Sequence, residues 1–571
     1  MYLLPLLAFA ALTSASSLTT RHVLRRVPSG WTPIASAPGD HLIDMRIGLK
    51  QGRMDELLAT LTEISDPGHE RYGMYMSKRQ VEELVAPRQE TVNSVERWLN
   101  AHGVKITGRS PAGDWIHVLV PVKRAEKMLN TRYNVYRHTS GTHVVRTESY
   151  ALPRSLDEHI DVIQPTTFFG KINERPAQAN EKRAPADLGI EERNTVDLSC
   201  NFTIAPECLQ KLYRTGGYTP SGKGRSILGI AGYLDLWASH SDFRLFFQKF
   251  LPQAKGADFL VELVNNGTNV EPTPSDEGNL DTQYGAAMTY PIPNVYYSTG
   301  GRASSFTPDE NTPTNTNEPY VEWIRYMMDK PDGELPLTIT TSYGDDEQTV
   351  PPDYANRVCK SFAQLGARGV SLLFSSGDDG VGPGNCYTNT EPVNQTQFMP
   401  MFPATCPWVT AVGATYGMSP EIGAPFSQGG FSNYFSRPSY QNQAVNTYLG
   451  GLGNTYEGLY NKSGRAFPDV SAQGLNYQVY LYKRIFYIRG TSAACPTVAG
   501  IVALLNDYLV SRGRSPLGFL NPWLYKNSKA FNDIVLGSNP GCGTPGFNAT
   551  AGWDPVTGLG TPDFEKMKAA L

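Results

Sequence analysis

Between residues 226 and 413 the sequence repeats one device. A short, almost unbroken apolar run stops in small or acidic residues, and stretches with helical spacing lie between such runs. The runs are Ser226-Ile-Leu-Gly-Ile-Ala231, Leu337-Thr-Ile-Thr-Thr-Ser342, Gly369-Val-Ser-Leu-Leu-Phe-Ser375 and Trp408-Val-Thr-Ala-Val-Gly413; the helical stretches include Tyr320 to Met328 and Asn356 to Leu365. A strand that is apolar on both faces must be covered on both faces. The pattern therefore predicts an α/β fold, a parallel sheet flanked by helices, with ligands bound beyond the strand C-termini.

At 571 residues the chain is too long for one ordinary domain. Residues 1–17 form a short apolar run ending in small residues, which fits a secretory signal although no positive residues precede the run; it is too short for a transmembrane anchor, and no other long apolar run follows. A second boundary lies at Asn173-Glu-Arg-Pro-Ala-Gln-Ala-Asn-Glu-Lys-Arg183, a polar stretch ending in a dibasic pair. The expected division is a signal over 1–17, a prodomain and linker over 18–183 with the cut falling there or as late as Arg193, and a larger domain over 184–571. Within the first part, His41 to Leu49 and Trp115 to Val120 read as strands, Met54 to Ile64 and Thr91 to Leu99 as helices, and Tyr133 to Arg146 as a hairpin. Such a unit buries its own core, and its place before a cleavable linker points to an intramolecular chaperone or inhibitor more than to a separate binding module.

Charge divides at the same boundary. Residues 1–183 hold 24 Lys and Arg against 19 Asp and Glu, a net of +5, leaving −9 for the rest of a chain whose total is −4. Opposite signs suit two parts that dock and later separate, and the acidic remainder argues against nucleic acid as a partner. Eight of the nine histidines lie in the first part and would gain charge in acid, so separation is expected to be acid-triggered.

In Ile488-Arg-Gly-Thr-Ser-Ala-Ala-Cys-Pro496 a glycine turn places Ser492 where an apolar helix begins, which exposes a hydroxyl beside free N–H groups. A serine needs a base. Downstream of Arg183 the only histidine is His240, in a polar turn, and it reads as a surface residue. Carboxylates are the alternative. In Pro274-Ser-Asp-Glu277-Gly-Asn-Leu-Asp281, Ser275 reads as an N-cap, and Glu277 and Asp281 project from one helix face. Two acids held close raise one pKa, so that one takes a proton and the other shares it. Asp378 follows a buried strand in Ser-Ser-Gly-Asp378-Asp-Gly; a neutral carboxyl there can donate to an oxyanion.

These three segments, in this order, resemble the motifs of the sedolisin family, the serine-carboxyl peptidases, and Asn279 to Gly300 is similar to the fungal-type secreted tripeptidyl peptidases. Asp66-Pro-Gly-His-Glu-Arg-Tyr-Gly-Met-Tyr75 is similar to the family's prodomain signature. The resemblance implies a subtilisin-like domain behind a ferredoxin-like prodomain, with Ser492 as nucleophile, Glu277 as general base, Asp281 orienting it and Asp378 as oxyanion donor. It implies a secreted, monomeric acid peptidase acting on peptides and proteins, with its own prodomain as partner and no membrane or nucleic acid. Exopeptidase and endopeptidase activity both stay open, as does a silent glycoprotein on the same fold. The resemblance also implies one Ca2+, held by the carboxylates of Asp533 and Asp554 and the carbonyls of Ile534, Thr550 and Gly552; family members usually have glycine where Thr550 stands.

Seven cysteines in a secreted chain point to disulfides with one thiol left over. Cys200 and Cys208 could close a local loop, Cys386 and Cys542 resemble a bridge position of the family, Cys359 with Cys406 is a further candidate pair, the connectivity staying open, and Cys495 is expected to be a buried thiol. Sequons stand at Asn201, Asn266, Asn394, Asn461 and Asn548.

Overall fold

The computed structural model describes residues 17–24, 27, 28, 30–139, 141, 143–167, 169, 197–222, 226–303, 306–389 and 393–571. The signal expected over 1–17 and the linker expected over 173–183 therefore lie almost wholly outside the described residues. The chain divides into two compact units: one takes the residues up to 27 with 31–51 and 87–167, the other takes 28–30, 52–86 and 168–571.

The first unit is built on a four-stranded antiparallel sheet. Its strands are β1 (Leu42–Leu49), β2 (Ile106–Arg109), β3 (Trp115–Pro121) and β4 (Ile160–Gln164), in the spatial order β2-β3-β1-β4. This is the strand order of the ferredoxin-like fold. In β1 the alternation of exposed Leu42 and Asp44 with buried Ile43, Met45 and Ile47 puts one face into the core. Helices α2 (Gln89–Ala101) and α3 (Val122–Leu129) contribute Val95, Trp98, Leu99, Met128 and Leu129 to the same cluster. Helix α1 (Met54–Ser65) groups with the second unit. So does the segment after it, where the Tyr75 hydroxyl donates to the Leu517 carbonyl at 2.5 Å and the Met76 N–H to that of Ala367 at 2.8 Å.

The second unit holds the predicted parallel sheet. Its strands are β5 (Leu228–Gly232), β6 (Leu260–Val264), β7 (Asn294–Thr299), β8 (Thr338–Thr341), β9 (Ser371–Ser375), β10 (Thr410–Tyr416) and β11 (Val470–Gln473). They run parallel in the order β6-β7-β5-β8-β9-β10-β11, and a two-residue antiparallel strand, Ile422–Gly423, also pairs with the end of β10. Strands β5, β7, β8 and β9 are buried along their whole length, which is why they lack a polar face in sequence. Around them run α4 (His240–Phe250), α5 (Asp276–Thr289), α6 (Tyr320–Asp329), α7 (Pro352–Ala367) and α8 (Thr491–Val510).

Helix α8 is long and apolar enough to cross a membrane by length and composition, but 89% of its apolar window is buried inside this unit, so it is a core helix. It lies close against α5: a Cβ at Gly500 would stand 2.6 Å from the Cβ of Met288. That contact carries α5 and α8 as one block, and each bears part of the site at its N-terminus.

Candidate active site

In a parallel sheet the strand C-termini and the helix N-termini share one edge, and the candidate side chains gather there. One cavity of about 350 Å³ is lined by Ser492, Glu277 and Asp378 together, with Ser342 and Thr491 beside them.

Ser492 is the second residue of α8, after Gly490. Gly490 has φ +142°, and a Cβ there would lie 2.6 Å from Asp378 Oδ2, so the turn that presents the serine requires glycine. Four residues on, Pro496 sits inside the helix and has no N–H to give the Ser492 carbonyl. The Ser342 hydroxyl, 3.3 Å away, approaches that carbonyl instead, and the Ser492 hydroxyl in turn lies 3.4 Å from the Ser342 carbonyl.

Glu277 and Asp281 occupy the first turns of α5, which Ser275 caps by accepting the Gly278 N–H at 2.9 Å. Both acids are buried. Burial, then the neighbouring Asp281 and Asp276, push the Glu277 carboxyl well above the usual range, while a hydrogen bond from Ser492 pulls it back. Burial raises Asp281 to about 8 against the pull of hydrogen bonds from Ser342 and Glu277. The Ser342 hydroxyl donates to Asp281 Oδ1 at 2.8 Å. Glu277 Oε1 and Asp281 Oδ2 are buried with no hydroxyl or N–H to pair with, the condition under which two carboxyls share one proton.

Asp378 follows β9. Its Oδ1 accepts from the Thr491 N–H at 2.7 Å and the Thr491 hydroxyl at 2.9 Å, and that hydroxyl accepts the Gly377 N–H at 3.1 Å. Oδ2 lies beside Gly490, and Asp378 lines the cavity. Asp378 is exposed where it lines the cavity, and the protein packed around its carboxyl, against the pull of the Thr491 hydrogen bonds, raises it to about 6. Below that value it carries a proton to donate.

His240 stands apart: its ring stacks on Phe259 and its Nδ1 meets Asp258 Oδ1 at 2.6 Å. Cys495 is a free, buried thiol near Thr340, pushed up to about 12 by burial, as expected from the sequence. The three expected disulfides are present: Cys200–Cys208, Cys359–Cys406 and Cys386–Cys542.

The residues expected to bind calcium also lie together. Asp554 is fully buried and accepts the N–H groups of Thr550, Val556 and Thr557 at 2.8–3.0 Å, while Asp533 accepts that of Gly552 at 2.9 Å. Both carboxylates thus reach the loop 550–552. Among the described residues no three His, Cys, Asp or Glu side chains converge as a metal cluster. A site of two carboxylates and main-chain carbonyls needs no third acid, and its all-oxygen donor set fits a hard cation.

Sequence reasoning missed Ser342, Glu318 and Asp345, which line the same cavity. Ser342 ended a recognised strand run, and that position beyond a strand C-terminus was the available signal.

Comparison with known proteins places the chain. Residues 29–169 match the pro-kumamolisin activation domain and residues 312–512 match the subtilase family. Tripeptidyl-peptidase SED2 of Arthroderma otae is 40% identical, over 100% of this chain and 98% of that protein. A probable tripeptidyl-peptidase SED3 of Arthroderma benhamiae is 40% identical, over 97% and 96%. A solved Pseudomonas sedolisin, a serine-carboxyl proteinase complexed with pseudo-iodotyrostatin, is 21% identical with a TM-score of 0.48, covering 64% of this chain and 97% of that one. The chain belongs to the sedolisin family of serine-carboxyl peptidases and is made as a zymogen, with an activation domain ahead of its peptidase domain.

Proposed function

We propose that the protein is a secreted acid tripeptidyl-peptidase, in which Ser492 is the nucleophile, Glu277 the general base, Asp281 its orienting partner and Asp378 the oxyanion donor. The observation that carries this reading is the meeting of Ser492, Glu277 and Asp378 on one cavity, with the buried Asp281 hydrogen-bonded to Glu277 behind it. As Ser492 Oγ attacks the peptide carbonyl, its proton passes to Glu277, whose charge is shared with the protonated Asp281. The oxygen that becomes negative takes a hydrogen bond from the Asp378 O–H and from the Ser492 N–H at the start of α8, the N–H groups of Thr491 and Ala493 being taken by Asp378 and the Gly490 carbonyl. Glu277 then gives its proton to the departing amine, and water cleaves the acyl-enzyme by the same path in reverse.

The relatives' names support tripeptide release, and the disulfides support an extracellular site. The prodomain is read as running to residue 183, with processing there or as late as 193, triggered by acid. Asp533 and Asp554, with the carbonyls of Ile534, Thr550 and Gly552, would hold one Ca2+, which would supply positive charge to a buried carboxylate loop. The test is mass spectrometry of the products formed from a defined peptide at about pH 4. Successive three-residue fragments from the N-terminus are expected, and Ser492→Ala should abolish them. Internal cuts would make the enzyme an endopeptidase; unchanged activity in S492A would overturn the catalytic assignment.

A further inference from the structure

Ser492 and its base reach the cavity on different segments. Glu277 rides on α5, whereas Ser492 follows a hairpin of two strands, β12 (Tyr477–Leu481) and β13 (Arg484–Ile488). Ile488, the last residue of β13, lines the cavity with Arg489, and the glycine turn to Ser492 comes directly after them. We propose that Gln283 is a positioning residue: it fixes this hairpin to the back of α5, so that the helix holding the base also sets the place of the nucleophile. This rests on the assignment of Ser492 and Glu277 above and names what registers one against the other.

Residues of an α-helix advance about 100° each, so the pair Asn279 and Gln283 lies about 200° round α5 from the pair Glu277 and Asp281. One face carries the two acids, and the other meets the outer edge of β12. In an antiparallel pair alternate residues turn their N–H and C=O away from the partner strand, and in β12 these belong to Gln478 and Tyr480. Gln283 Oε1 accepts the Tyr480 N–H at 2.9 Å, and Gln283 Nε2 donates to the Tyr480 carbonyl at 2.8 Å, as a neighbouring strand would. The Asn279 amide donates to the same carbonyl at 2.9 Å, and the Tyr284 hydroxyl to that of Gln478 at 3.0 Å. Gln283 and Asn279 are fully buried, so Tyr480 has no water to turn to if they are removed.

The tip of the hairpin is tied to the same helix. Tyr482 and Lys483 form its two-residue turn with φ +51° and +62°, a left-handed conformation costly for residues other than glycine. Both of their N–H groups go to Asp242 of α4, at 2.9 and 2.7 Å. Asn279 Nδ2 donates to that carboxylate at 3.0 Å, while its Oδ1 accepts the Ser239 N–H at 2.8 Å. Asp242, Asn279 and Gln283 thus make one buried belt from the tip of the hairpin to its middle. The close contact of α8 with α5 at Gly500 lies eight residues beyond Ser492, about 12 Å along the helix, so the belt ties the N-terminal ends separately. A hairpin that slides on α5 carries Ser492 away from Glu277, and a displacement of about 1 Å costs about 10²-fold in rate.

The test compares processed wild type with Gln283→Leu and Gln283→Glu at pH 4, on the defined peptide used above, thermal unfolding reporting on folding. Leucine fills the space and offers Tyr480 nothing. A buried glutamic acid is neutral at this pH; its O–H donates and its C=O accepts, so it stands in for the amide. In Q283L kcat should fall about 10²-fold with KM within about threefold, and Q283E should recover kcat to within about tenfold of wild type. Should Q283L not fold, Gln283→Asn, which keeps the amide one carbon short, must show a smaller fall in kcat at constant KM. A folded Q283L with wild-type kcat, a loss that appears in KM alone, or equal losses in Q283L and Q283E would each overturn the assignment. Activity that survives Ser492→Ala would instead overturn the reading on which it rests.

Discussion

Asp378→Asn separates the proposed oxyanion role from a merely structural one, because the surroundings dictate how the new amide must sit. Oδ1 of Asp378 accepts two hydrogen bonds from Thr491, so the asparagine carbonyl oxygen must take that place and its NH2 must occupy the position of Oδ2, beside Gly490 on a residue that lines the cavity. The amide then donates at every pH, whereas the acid donates only when protonated. With the carboxyl at about 6, nearly all wild-type molecules carry the proton at pH 4, and about one in eleven at pH 7. The ratio of D378N to wild-type kcat/KM should therefore rise about tenfold between pH 4 and pH 7, whatever its value in acid. Loss of the donor altogether would cost about 10²–10³-fold in rate, so a variant within tenfold of wild type at pH 7 is well inside a fluorogenic assay. A ratio that stays flat from pH 4 to 7, with the variant folded, would show that titration of Asp378 does not control the donor, and the assignment would fail.

Gly490→Ala should abolish activity while leaving most of the fold intact, because its Cβ would fall 2.6 Å from Asp378 Oδ2 at a positive φ; single-turnover kinetics and circular dichroism check the two halves of that statement. Arg465 and Asp469 form a fully buried ion pair, and Arg465 also donates to the carbonyls of Ala466 and Val409. Arg465→Ala should cost about 3–5 kcal/mol, read from chemical denaturation, since it leaves Asp469 charged and sealed from water. Calcium should raise the thermal midpoint of the protein and chelation lower it, and Asp554→Asn should remove the increment; a midpoint indifferent to the metal refutes the site.

Strands buried on both faces announce themselves in sequence, and the four runs read there correspond to β5, β8, β9 and β10. The strand β11 was missed because Val470-Ser-Ala-Gln473 is short and half polar; it is a strand only because β10 lies beside it. The motif residues Glu277, Asp281, Asp378 and Ser492 were legible because each stands at a strand end or helix start, where local spacing carries information. Ser342 and Glu318 were not: Ser342 meets Asp281 on α5, 61 residues away, and only the closed sheet brings these segments to one cavity. The grouping of residues 52–86 with the second unit was equally invisible, because helical spacing in Met54 to Ile64 shows an apolar face but not what covers it.

The proposed assignment makes opposite demands on two carboxyl groups: burial keeps the proton on Asp378 but also raises Glu277, so a carboxylate at Glu277 depends on the hydrogen bond from Ser492 and on the proton held by Asp281. Glu277 must give up a proton before it can accept one from Ser492, while Asp378 must keep its own. Asp281, raised to about 8, stays neutral through the whole acid range, so the pair can hold one proton and still present Glu277 as a carboxylate. The upper edge of activity then belongs to Asp378, near 6. An imidazole would fail in this arrangement. Its ordinary value of about 6.5 would leave it protonated, and useless as a base, over the range where Asp378 is able to donate. A neutral-acid oxyanion donor and a histidine base are therefore poorly matched, whereas a carboxylate can serve as base here to the extent that the Ser492 hydrogen bond offsets the rise that burial imposes on Glu277. The single histidine after residue 183, tied to Asp258 away from the cavity, is what that argument requires of the sequence.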